Sequence, residues 1–169
     1  MPDSSRPSLR QRKFARTRLA LAEAVTNHLA VAAFDTLSVK ALCERVQISE
    51  ATFFNYFPRK EDLIVYLDRL WTLELNWYGR QAAQQGMGLA VIEALFRYTS
   101  IQIQKKPGLM AEIIAHEALS RERREGPDIT PAERMSWCGC LRRPGTIRSK
   151  WPVRKSLQSI SAAPTSARS

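Results

Sequence analysis

The chain has 169 residues, 44% of them hydrophobic and 25% charged, with a formal net charge of +10. That length fits one or two small domains, and no apolar run approaches the length of a membrane span. The opening MPDSSRPSLRQRKFARTR lacks the apolar segment of a secretory signal. The three cysteines (Cys43, Cys138, Cys140) make no disulfide framework, so a reducing cytoplasm is the expected location.

The charge is unevenly placed. Residues 136–169 hold seven Lys/Arg and no Asp/Glu, which leaves 19 basic against 16 acidic side chains in the rest. The basic excess is therefore mainly a property of the tail. A more local cluster is Arg6, Arg10, Arg12, Lys13, Arg16 and Arg18, opposed only by Asp3. Such a cluster can neutralise phosphates, and it predicts binding that falls steeply with salt.

Taken in chain order, a first helix is expected over about 12–32, with Leu21, Val25, His28 or Leu29, and Ala32 on its inner face. Ser38 and Ser49 are suited to cap two further short helices, since each hydroxyl can accept a hydrogen bond from a first-turn amide. Between them Val39, Leu42, Cys43 and Val46 recur at helical spacing and form one buried stripe. The next helix, from Glu50 to about Phe57, mixes Ala51 and Thr52 with Phe53, Phe54, Asn55 and Tyr56. These are residues that reach base edges, thymine methyls and phosphates. Two short capped helices joined by a tight turn form a helix-turn-helix over 38–57, the second helix suited to a major groove.

A fourth helix begins after Pro58 and runs to about Tyr78, and Gln81 to Gly88 is a connector. Leu89 to Lys105 reads as a helix with Ile92, Leu95, Phe96, Thr99 and Ile103 on one side. Pro107 suits the first turn of another, continuing past Leu119 into SRERRE and ending at Gly126-Pro127. Thr130-Pro131-Ala132-Glu133 is a helix opening with cap, proline and capping-box glutamate. Soon afterwards the composition turns basic and Ser/Pro-rich, with prolines at 144, 152 and 164. That break predicts a shifted reading frame or truncation near Met135 to Cys138, and a disordered tail over 136–169. No segment alternates with period two, so the expected fold is all-α.

The stretch SEATFFNYFPRKEDL resembles the recognition helix and following turn of the tetracycline-repressor (TetR) family of bacterial transcription regulators. The likeness runs from about Arg12 to Trp71, and more loosely to Met135. It implies a three-helix DNA-binding domain over 12–72 behind a basic arm (1–11), and a partial helical ligand and dimerisation domain over 73–135. Ala33 and Gln47 stand where the family usually has glycine, and a side chain in a left-handed position costs roughly 1 kcal/mol. Carried over position by position, Ser38, Tyr56 and Lys60 contact phosphate, while Lys40, Glu50, Ala51, Thr52 and Asn55 lie near bases. Phe54 packs on a thymine methyl or sugar, and Ser49, which opens the helix, belongs to the same DNA-binding set. The likeness also implies an effector pocket that Trp71, Trp77, Tyr78, Phe96, Tyr98 and Met110 could line, with plain helical core as the alternative reading of each, and a homodimer joined through its final helices.

His28 falls where an apolar residue is expected, so a packed, hydrogen-bonded histidine is the reading there. Glu112 and His116 lie four apart without a third ligand, and Cys138-Gly-Cys140 has the wrong spacing for a zinc knuckle. No nucleophile–base pair or phosphate-binding glycine loop is evident, so no enzyme, metal or cofactor is expected. The leading expectation is a repressor of transcription that binds double-stranded DNA and is relieved by a small effector. Two alternatives stand beside it: a non-functional or dominant-negative fragment, and an all-α protein-interaction module.

Overall fold

A computed structural model of the chain describes residues 7–84, 86, 88–119 and 126–142. The seven α-helices among the described residues are α1 (Leu9–Leu29), α2 (Val39–Val46), α3 (Glu50–Tyr56), α4 (Asp62–Ala83), α5 (Leu89–Lys105), α6 (Pro107–Leu119) and α7 (Pro131–Arg142). A 3-10 turn, Phe34–Thr36, lies between α1 and α2, and there is no strand among the described residues. The fold is all-α. No helix among those residues is long and apolar enough to cross a membrane.

The helix ends follow local chemistry. Ser8 opens α1 through a capping box in which its hydroxyl accepts from the Gln11 amide and Gln11 Oε1 accepts from the Ser8 amide. The helix therefore begins ahead of the expected position 12 and ends at Leu29 rather than 32. Ser38 and Ser49 cap α2 and α3, accepting from Ala41 N at 3.4 Å and Thr52 N at 3.1 Å. At the end of α2, Gln47 adopts φ 60°, ψ 48°, the left-handed conformation that closes the turn. Ala33 does not share it: at φ −71°, ψ 155° it is ordinary extended backbone leading into the 3-10 turn, so it carries no strain. Replacing Gln47 with glycine is expected to raise stability by about 0.5–1 kcal/mol in urea unfolding, by removing the Cβ clash of a left-handed residue. An unchanged midpoint would mean the turn is relaxed as it stands.

One core joins both halves of the chain. Leu21, Val25 and Leu29 of α1 meet Leu42 and Cys43 of α2, Phe53 and Phe57 around α3, and Leu63, Tyr66, Leu67 and Leu70 of α4. Leu109, Met110 and Ile113 of α6 and Trp137 of α7 close the same cluster from the other side. Val39, Val46 and Ile48 line its edge, half-buried. α6 approaches α1 through Gly108, where a methyl group would lie 2.1 Å from the Leu29 carbonyl oxygen. α5 rests on α4 and α6, and leaves Leu89, Ile92, Phe96 and Ile103 exposed on its outer side.

α7 alters the expected ending of the chain. It continues to Arg142, beyond position 136 where a disordered tail was expected to begin. Its first turn holds because Glu133 completes the capping box, its Oε2 accepting from Thr130 N at 2.7 Å while Thr130 Oγ1 accepts from Glu133 N at 3.3 Å. Residues 143–169 and the SRERRE segment, 120–125, lie outside the described residues.

Candidate nucleic-acid interface

The surface of interest is built on two aromatic anchors. Phe53 and Phe57 are fully buried, their rings 5.8 Å apart, and Phe57 meets Tyr66 of α4 edge-on at 5.4 Å. With one side of α3 fixed in this way, the other side faces outward. Glu50, Ala51, Phe54 and Asn55 are exposed there, and Thr52 and Tyr56 are half-buried. Lys40 and Ser38 are exposed at the start of α2, beside this face.

Hydrogen bonds already engage several of these groups. The Ser49 hydroxyl is committed as helix cap and lies 2.9 Å from Thr52 Oγ1. Tyr56 is positioned by an edge-on contact with Phe14 of α1, ring centroids 4.7 Å apart. The Lys60 ammonium donates to the Asp35 carbonyl at 3.1 Å and lies over the Phe34 ring, which leaves it further protons for an anion. His28 Nε2 is 3.1 Å from both the Ala33 carbonyl and the Thr36 hydroxyl, tying α1 to the 3-10 turn. Glu112 Oε1 accepts from the Phe34 amide at 3.3 Å, so this carboxylate serves the same turn.

Behind the interface lies a buried polar cluster that sequence reasoning missed. Arg18 belongs to the basic cluster expected at phosphate, yet it is 2% exposed. Its Nη1 is 3.1 Å from Glu133 Oε1 and donates to the Asp128 carbonyl at 3.1 Å. Its guanidinium lies over the rings of Tyr66 (4.2 Å), Phe57 (5.0 Å) and Phe14 (5.3 Å). The Tyr66 hydroxyl donates to Glu133 Oε1 at 2.8 Å, and burial beside that carboxylate pushes the phenol well above its usual range. Burial lowers the Arg18 pKa, an effect that the nearby Glu133 charge opposes. Arg18 thus anchors α7 instead of reaching outward. The capping-box spacing was legible, but nothing in the sequence links Glu133 to an arginine so far away.

The residues expected around an effector do not form one group. Trp71, Tyr98 and Tyr78 stack in order, with centroids 5.9 Å and 4.3 Å apart. The Tyr98 hydroxyl donates to the fully buried Glu74. Gln102 is also fully buried, and its amide has no hydrogen-bond partner among the described residues. Lys106, close by, is held down to about 8 by burial against the pull of Glu74. Phe96 is 71% exposed on the outer side of α5, away from this stack. Met110 belongs to the shared core with α1 and α4, and Trp77 is half-buried at its edge. Trp71 also borders a wide groove of about 1340 Å³ between α4, α6 and α7.

Residues 23–67 match the family model for bacterial regulatory proteins of the tetR family. Over that segment the chain is similar to the DNA-binding domain of the tetR family. The match spans the later part of α1, the helix-turn-helix and the start of α4, and it contains every candidate DNA-contacting residue from Ser38 to Lys60. No curated protein and no solved structure matches the chain. The match supports a DNA-binding transcriptional regulator and is consistent with double-stranded DNA as its partner. Among the described residues no three His, Cys, Asp or Glu are grouped to hold a metal ion.

Proposed function

We propose that the protein represses transcription by inserting α3 into the major groove of its operator, and that a small effector bound among the later helices relieves this. The observation that carries the reading is an outward row, Ala51, Phe54 and Asn55, on a short helix fixed from behind by Phe53 and Phe57. Ser38, Tyr56 and Lys60 take the phosphates; Lys40, Glu50, Thr52, Ala51 and Asn55 face the bases; Phe54 meets a thymine methyl or sugar. Ser49 sets the start of the reading helix. The effector part is supported by the unpartnered Gln102 amide beside the Trp71–Tyr98–Tyr78 stack. A homodimer spanning two half-sites fits the exposed apolar side of α5. By this reading, residues 12–72 read DNA and 73–135 sense and pair, within the cytoplasm.

The test is fluorescence anisotropy on the DNA upstream of the protein's own gene, over a range of salt. Lys60→Ala should weaken binding to all sequences and flatten the salt slope by about one unit, because one phosphate contact is lost. Asn55→Ala should instead relax preference at one base position by roughly 1–3 kcal/mol. A Lys60 variant with an unaltered slope, or an Asn55 variant losing affinity uniformly, would remove these assignments.

A further inference from the structure

A groove of about 890 Å³ runs between the start of α1, the end of α3 and the first turn of α7. That is the size of a small-molecule site. One rim carries two exposed cations, Arg10 and Lys13, and among the described residues no acidic side chain lines the groove. The remaining wall is largely apolar: Phe14, Pro131 and Met135, the last 53% exposed. The opposite rim is Tyr56, next to Asn55 on the recognition helix.

We propose that this groove binds an amphipathic organic anion, a carboxylate or sulfonate on an aromatic or acyl body, in direct competition with DNA. The charge complementarity sets the head group: two cations, with no carboxylate beside them among the described residues, favour an anion. The apolar wall sets the body, since a phosphodiester gains nothing from Met135, Pro131 or Phe14, whereas a hydrophobic ligand buries area against them. The competition follows from position, because a ligand against Tyr56 and Asn55 occupies the surface proposed to face DNA; that part rests on the DNA-reading assignment above. This device differs from effector relief through the later helices. A competitive ligand forms no ternary complex, so the apparent Kd for DNA rises without a plateau, whereas an allosteric ligand saturates at its coupling limit.

The probe is anilinonaphthalene sulfonate, titrated into the full chain at low salt and followed by its fluorescence. Arg10→Glu with Lys13→Glu, and separately Met135→Asp, should each weaken its binding roughly tenfold or more. All three positions are exposed, so circular dichroism should show intact folding. Ile92→Asp, on the outer side of α5, removes probe adsorbed to that stripe and should leave the groove component intact. Added operator duplex should displace the probe, and its own apparent Kd should rise linearly with probe concentration. Unchanged probe affinity in the groove variants would overturn the site, and a plateau or a ternary complex would overturn the competition. Failure of the wild-type chain to bind any duplex would sink the DNA-reading assignment instead, and the variants would still decide whether the groove holds the anion.

Discussion

Glu133→Leu is expected to destabilise the protein by roughly 3–5 kcal/mol, because it leaves the Arg18 guanidinium buried and uncompensated. The wild-type cluster is fully satisfied on the carboxylate side: Glu133 accepts from Arg18, the Tyr66 hydroxyl and the Thr130 amide. Removing it takes away the counter-charge, the acceptor for a buried phenol and the cap of α7 in one step. The companion measurement is the double variant Arg18→Met, Glu133→Leu. Replacing both charges with apolar groups of similar volume should recover most of the loss, since a buried pair is often worth little more than its apolar substitute. Urea unfolding of the two singles and the double gives the coupling directly. A Glu133→Leu cost under about 1 kcal/mol would show that α7 is not anchored to the DNA-binding domain through this pair.

Phe53→Ala is expected to cost roughly 3–5 kcal/mol, the usual penalty for emptying a fully buried aromatic site. It should also abolish specific DNA binding, because the ring on the inner side of α3 sets the direction of the outer residues. Asn55→Ala supplies the contrast. Asn55 is exposed, so its loss should leave the unfolding midpoint within about 0.5 kcal/mol of wild type while altering base preference. The pair of variants separates holding the helix from reading with it. If Phe53→Ala keeps its stability, the core around α3 is not what fixes the recognition face.

Punctuation residues made much of this fold legible in advance. α5 begins and ends where Gly88, Pro107 and the intervening periodicity place it, α6 begins at Pro107 as expected, and the caps Ser38 and Ser49 mark α2 and α3. Elements without such signals drifted: α4 runs on to Ala83, and the 3-10 turn at Phe34 has no marker in the chain. The outward face of the candidate site was legible where neighbours in sequence are neighbours in space, as along Glu50–Tyr56. The site was not legible where it depends on distant residues. Arg18 has the same chemistry as Arg10 or Arg16, and only the packing of α7 takes it out of the basic cluster. Phe96 and Met110 show a related limit. Helical spacing says which residues share a side, but not whether that side meets another helix or water, and the two side chains went opposite ways.

Gly108 gives the molecule a stiff joint. The first turn of α6 rests on the final turn of α1 through backbone atoms, with no side chain between them to change rotamer and absorb slip. Sliding α6 towards α1 by even a fraction of an ångström must therefore displace the Leu29 carbonyl. α1 is a single unbroken helix whose other end carries Arg10 and Lys13. Any displacement of α6 towards α1 therefore bears directly on the helix whose opposite end carries Arg10 and Lys13.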